Sequence, residues 1–268
     1  MRRARPEGAK FPELAAYLEP FAPLFRRSTS RESVERYLTG LLTDLERKNC
    51  DTIAAAVAGT STERLQHLLT DAAWEPQTLD QQRVTALVFQ SPRHSILVVD
   101  DTGLPKQGRA SVGVTRQYSG TLGKVANCQV VVSVHYVADE PTSRAPVHWP
   151  LTARLYLPEG WATDAARRSK VHVPAEVAFQ TKPELALTLV DQARMWGVPF
   201  ATVVADAGYG DNPAFLQGLD EPAAPLRGGG EQYVRGAPAS GGPSRCPLGA
   251  PASTGAGPAA QTPPRSAL

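Results

Sequence analysis

Residues 96–103 read Ile-Leu-Val-Val-Asp-Asp-Thr-Gly, and this stretch decides the class of fold. An aliphatic run dominated by β-branched residues predicts a strand buried on both faces. Unpaired buried charge is costly. Asp100 and Asp101 are therefore expected where the run stops and Gly103 and Pro105 turn the chain. Ligands of α/β sheets bind outside the carboxyl ends of strands, so this end is the first candidate for chemistry. Alternation sends Asp100 to the face of Ile96 and Val98, and Asp101 to the face of Leu97 and Val99. Only one of the two can point straight at a site on a given face.

Working outward, Ala201-Thr202-Val203-Val204-Ala205-Asp206 has the same grammar: a short apolar strand ending in a carboxylate, followed by Ala207-Gly208-Tyr209-Gly210-Asp211. Two strands that each deliver an aspartate suit a hard divalent cation, which takes carboxylate, water and phosphate oxygens. The plainer reading is a pair of Asx-type turns capping ordinary strands, and spacing alone does not separate the two. Between the strands lies the glycine-rich segment 106–128. It carries Lys106, Arg109, Arg116 and Lys124 with no acid among them, and it is expected to be a basic loop. Paired carboxylates beside such a loop match a metal-bridged phosphodiester, with metal on the scissile phosphate and cations on its neighbours.

These residues carry a family resemblance. Val-Asp-Asp-Thr-Gly-Leu-Pro-Lys-Gln-Gly from Val99, then Ser-Val-Gly-Val-Thr-Arg-Gln-Tyr-Ser-Gly-Thr-Leu-Gly-Lys-Val-Ala-Asn-Cys-Gln-Val from Ser111, resemble the core of IS701-type insertion-sequence transposases. Leu155-Tyr156-Leu157-Pro158, Phe179-Gln180-Thr181-Lys182-Pro183 and Asp206-Ala207-Gly208-Tyr209-Gly210 follow as further blocks in the same order. The resemblance spans about residues 20–220. It implies a ribonuclease-H-like core with an Asp-Asp-Glu site holding two Mg²⁺ or Mn²⁺ ions. Asp100, Asp101 and Asp206 are then the catalytic candidates, with Asp100 and Asp206 favoured as metal ligands. DNA is the implied partner, contacted by Lys106, Arg109, Arg116 and Lys124, and a homodimer is the candidate assembly. The implied activity is cleavage of DNA at element ends and joining to target DNA. The alternative is a non-catalytic DNA-binding remnant.

The expected organisation is a helical segment over 1–92, a mixed α/β core over 93–220, and a tail over 221–268. In the first, Thr29-x-x-Glu32 has capping-box spacing and opens a stripe of Val34, Tyr37, Leu38, Leu41, Leu42 and Leu45. A short helix over 51–58, Gly59, and a helix opened by Thr60-x-x-Glu63 outline either a helix-turn-helix or a plain αα-hairpin. A last helix is expected over 79–90. In the core, strands are predicted over 129–137 and 147–157, with Pro150 marking an edge or a bulge. Residues 159–176 look irregular. A helix over 183–196, the strand at 201–206 and a helix over 212–219 complete the ribonuclease-H order.

The tail holds 9 of the 22 Gly and 9 of the 24 Pro, a density that predicts disorder. Its acids are Glu221 and Glu231, both among Pro and Gly that disfavour a helix. The third carboxylate of the resemblance therefore has no counterpart there, and the composition shift near 221 is expected to mark a frameshifted or truncated gene.

A net charge of +2 neither demands nor excludes nucleic acid. No apolar run approaches a membrane span, and the basic N-terminus lacks the apolar stretch of a secretory signal. Cys50, Cys128 and Cys246 are too far apart for a zinc knuckle or a disulfide framework. A cytoplasmic, nucleoid-associated protein is expected. Asp101-Thr102-Gly103 is also the aspartic-protease triplet, but a second copy is missing and the flanking helices do not suit that fold. Gly120-Thr121-Leu122-Gly123-Lys124 is too short for a phosphate loop, and Val125 stands where Ser or Thr would hold Mg²⁺.

Overall fold

The N-terminal segment folds into helices where its apolar residues recur at helical spacing. The protein is described by a computed structural model over residues 11–88, 95–139 and 146–221. The helices are α1 (Pro12–Leu18), α2 (Ser28–Leu42), α3 (Cys50–Ala56), α4 (Thr62–Thr70) and α5 (Pro76–Val88). Ile53, Ala54, Val57 and Leu65 make a small core joined by Tyr37, Leu41, Leu45 and Cys50.

The helix starts differ from the sequence expectation by a residue or two, for a local reason. Helix α2 begins at Ser28, so Thr29 already lies inside it and cannot cap, and Glu32 instead reaches Arg64 at 3.2 Å. Asn49 caps α3 in a reciprocal box with Thr52, while Ser61 rather than Thr60 accepts the Arg64 N–H at the start of α4. Gly59 adopts φ 78° between α3 and α4, a left-handed conformation that suits glycine. The turn expected from that glycine is therefore present.

Among the described residues five strands form one mixed sheet: β1 (Ser95–Pro105), β2 (Thr115–Ser119), β3 (Lys124–Ala138), β4 (Val147–Leu155) and β5 (Thr202–Ala205). β1 and β3 are antiparallel, from Ser95 opposite Ala138 to Pro105 opposite Cys128. The far edge of β3 takes β2 along its first residues and β4 along its last, both antiparallel. β5 lies parallel to β1 on the other side, with Val99 opposite Ala205. Pro150 marks both an edge and a bulge. Among the described residues β4 pairs with β3 alone, and its register slips between Val134 and His135.

Three expectations are corrected. The pair Asp100-Asp101 does not end its strand, because the unbroken ladder to β3 carries β1 on to Pro105. Nor is β1 buried equally on both faces: Leu97 and Val99 are buried, whereas Ile96 and Val98 are only half-buried. The supposed basic loop is largely a hairpin, with β2 and the start of β3 joined by a 3₁₀ turn at Gly120–Leu122. Its alternation of polar residues with buried Ser119 and Cys128 hid the strand pattern, since no apolar run marks it.

Short helices α6 (Glu159–Ala162) and α7 (Ala165–Lys170) occupy the segment expected to be irregular. They fold there because Trp161, Val114 and Leu157 form a satellite core, with the Trp161 indole N–H donating to the Val114 carbonyl at 2.8 Å. Helices α8 (Lys182–Met195), α9 (Ala207–Gly210) and α10 (Pro213–Asp220) follow.

The main core lies on one face of the sheet. Leu97, Val99, Val132, Val134 and Tyr136 pack against Leu185, Leu189, Val190 and Ala193 of α8, with Val84 of α5 and Phe215 of α10. Each such side chain stabilises the fold by about 1.5–3 kcal/mol through burial. Helix α5 is thus tied to the sheet, and Arg83 reinforces it by donating to the Pro150 carbonyl at 2.8 Å. The tail expected to be disordered lies outside the described residues, apart from Glu221.

Candidate functional site

The pleat of β1 sends its two aspartates to opposite faces. Asp101 follows Leu97 and Val99 toward the helix-covered face, where its carboxylate meets the Lys182 ammonium at 2.9 Å. The Tyr209 hydroxyl donates to the same oxygen at 3.4 Å. Lys182 stands in the first turn of α8, fixed by a capping box in which Thr181 and Glu184 bond reciprocally. Those bonds from Thr181 hold the Glu184 carboxyl below the usual carboxylate range.

Asp100 takes the other face, with Ile96 and Val98, and is exposed. The Asp101 backbone N–H donates to its Oδ1 at 2.7 Å, which steadies the carboxylate without neutralising it. Asp206 follows β5 directly in an extended conformation (φ −73°, ψ 175°) and caps no backbone N–H with its side chain. Val99 faces Ala205 across the parallel ladder, so the next residues in step are Asp100 and Asp206. Alternation through Thr202 and Val204 sets Asp206 on the face of Asp100. Gly208 leaves room beside it, since a Cβ there would lie 3.2 Å from Asp206 Oδ1.

Tyr209 reports on this concentration of charge. Burial pushes its phenol well above the ordinary tyrosine value, and the charge of Asp101, the bond to Asp101, and the charges of Asp206 and Asp100 push the same way. Neither Lys182 nor Tyr209 stands out as a site residue in the sequence, although both belong to blocks quoted above. Their signal was distance along the chain: only the fold brings α8 and α9 to β1.

The four candidate DNA contacts are all exposed, and among the described residues none of them makes an ion pair. They are not on one face. Arg116 pairs across the hairpin with Asn127 and so lies on the Asp100 face with Tyr118, whereas Lys124, opposite Ser119, projects from the other face. Lys106 and Arg109 occupy the connection between β1 and β2, where the Arg109 carbonyl accepts from Arg167 at 2.9 Å.

Among the described residues no group of three or more His, Cys, Asp or Glu is arranged to hold a metal, and no helix is long and apolar enough to cross a membrane. Asp100 and Asp206 nevertheless offer two exposed hard-oxygen donors on one face, the donor chemistry that Mg²⁺ or Mn²⁺ accepts.

The sequence matches a family described as DDE superfamily endonuclease over residues 20–231. It is also 31% identical over 224 residues to a protein of Microchaete diplosiphon described as "Probable transposase for insertion sequence element IS701". That alignment covers 82% of this chain and 54% of the relative, so the chain spans about half the length of the curated protein it matches. No solved structure matches it.

Proposed function

This chain belongs to the DDE superfamily endonucleases, and from that premise we propose that it is an insertion-sequence transposase whose Asp100 and Asp206 hold divalent metal on the open face of a ribonuclease-H-like sheet. The observation that carries the reading is the shared face of these two carboxylates, adjacent in register on neighbouring parallel strands. Four antiparallel strands followed by helices α6–α8 and a fifth strand parallel to the first support the ribonuclease-H-like reading. Likeness to a probable IS701 transposase supports the substrate class, DNA at element ends.

Metal bound to the two aspartates supplies activation of water and charge stabilisation at the scissile phosphate. The chain's own residues do the rest. Asp100 and Asp206 orient the site. Arg116 on the same face, with Lys106 and Arg109 on the adjoining connection, holds neighbouring phosphates and so fixes the register of the duplex. Asp101, already paired with Lys182, anchors α8 to β1 and is not a ligand. The N-terminal helices add DNA affinity through α3 and α4.

Calorimetric binding of Mg²⁺ or Mn²⁺ tests the ligand assignment. Asp206→Asn and Asp100→Asn each abolish it, while Asp101→Asn leaves it in place. Binding that survives in both of the first two variants overturns the assignment. DNA affinity at varied salt tests the contacts: each phosphate contact removed lowers the slope of log affinity against log salt by about 0.9. Replacing Lys106, Arg109 and Arg116 with Ala flattens it accordingly, and an unchanged slope removes them from the interface.

We further propose that this polypeptide by itself does not cut DNA. Beyond Asp220 its acids are Glu221 and Glu231. Glu221 follows the end of α10 and accepts from Gln217 at 3.0 Å, and among the described residues the open face offers the metal two carboxylates, Asp100 and Asp206. Metal-dependent cleavage of a matching element end by the purified chain refutes this.

A further inference from the structure

A second cluster on the open face is not used by the two carboxylates. Ser133 and His135 lie two residues apart on β3, and the Ser133 hydroxyl is 3.0 Å from His135 Nε2. The other ring nitrogen of His135, Nδ1, is 3.0 Å from Nε2 of His148 on β4. The two rings stack with centroids 5.0 Å apart and planes 24° apart. The register slip beside His135 places it opposite Pro150, and His148 lies opposite Val137 on the same face. His148 is exposed, so solvent reaches the gap between the rings.

We propose that His135 and His148 chelate a borderline divalent transition ion, with Zn²⁺ and Cu²⁺ as the fitting chemistry, at a site distinct from the aspartates. Two nitrogens that bind one tetrahedral ion at about 2.0–2.1 Å stand roughly 3.3 Å apart. The observed 3.0 Å is close to that spacing, and His148 is exposed and free to turn its ring toward an ion. Imidazole favours Zn²⁺ and Cu²⁺, whereas carboxylate and water favour Mg²⁺ and Mn²⁺, so the two sites select different ions.

Ser133 completes the arrangement. With His135 Nε2–H donating to its hydroxyl, Nδ1 keeps its lone pair for the metal, the usual role of a partner behind a ligating histidine. His148 carries its proton on Nδ1 in that state and presents Nε2. Burial and the neighbouring His148 hold the His135 ring below the ordinary histidine range, against a smaller upward pull from Asp100. Without an ion, the two rings are joined by a hydrogen bond between the facing nitrogens.

Titration calorimetry of the full chain with ZnCl₂ in Mg²⁺-free buffer is the first test. The expected result is saturable binding that His148→Ala weakens at least about tenfold and that Ser133→Ala weakens by about tenfold or more. Asp206→Asn retains it, which separates this site from the carboxylates. Absence of Zn²⁺ binding, or binding equal in wild type and His148→Ala, overturns the proposal. Electron paramagnetic resonance of the wild-type chain with substoichiometric Cu²⁺ needs no variant. Hyperfine structure from two imidazole nitrogens supports the site, and an oxygen-only ligand field overturns it.

Discussion

The two faces of the sheet use the same kinds of residue to opposite ends. On the helix-covered face, Asp101 is neutralised by Lys182, bonded by Tyr209 and hemmed by the main core. On the open face, Asp100 and Asp206 remain exposed, beside a Ser-His-His chain and exposed Tyr118, Val125 and Val204. Asp100 and Asp101 are chemically identical neighbours. What separates them is a strand's two-residue period, which gives one a partner and leaves the other accessible. One face therefore carries the packed core, and the other keeps its carboxylates exposed.

That contrast is breakable by measurement. The largest effect belongs to the packed face: Leu189→Ala, fully buried on α8, is expected to destabilise by about 2–5 kcal/mol in denaturant unfolding. Val204→Ala on the open face, with 44% of the residue exposed, should change stability by no more than about 0.5 kcal/mol. Comparable losses at the two positions would mean that the open face is covered in solution.

Next comes the ion pair. Lys182→Met leaves the Asp101 carboxylate without its cation, and because both side chains keep some solvent the expected cost is about 1–2 kcal/mol. Asp100→Asn should cost little stability while removing metal binding. A reversal, with Asp100 governing stability and Asp101 governing metal, exchanges the roles assigned to the faces.

The smallest expected effect is alkaline. The folded Tyr209 phenol titrates above the unfolded value of about 10. The folded state therefore holds its proton where the unfolded state has lost it. Its contribution is complete below pH 10 and is lost as pH rises beyond that value. Tyr209→Phe should make the alkaline decline of stability shallower, and an unchanged slope would place the phenol in an ordinary environment.

Much of this was legible in residue order. The runs 96–99 and 202–205 announce strands, Pro150 announces an irregular edge, and the helix expected over 183–196 is α8. The hairpin over 115–128 was not legible, because its strands are mostly polar, its glycines fall in the turn, and it is held by pairing with a neighbour rather than by an apolar stripe. Helix starts were misread by a residue or two because several hydroxyls or amides compete for each cap.

The sequence by itself determined the α/β character, the two aspartate-bearing strands and the family, since these rest on local periodicity and on motifs that keep their order. It also determined that Asp100 and Asp101 face opposite ways. Only the tertiary structure decided which way is which. Helices α8 and α10 cover one face of the sheet, and the covering helix brings Lys182 across 81 residues of chain to Asp101. Periodicity carries no information about which side a distant helix will bury, because that choice is set by the summed packing of the whole core.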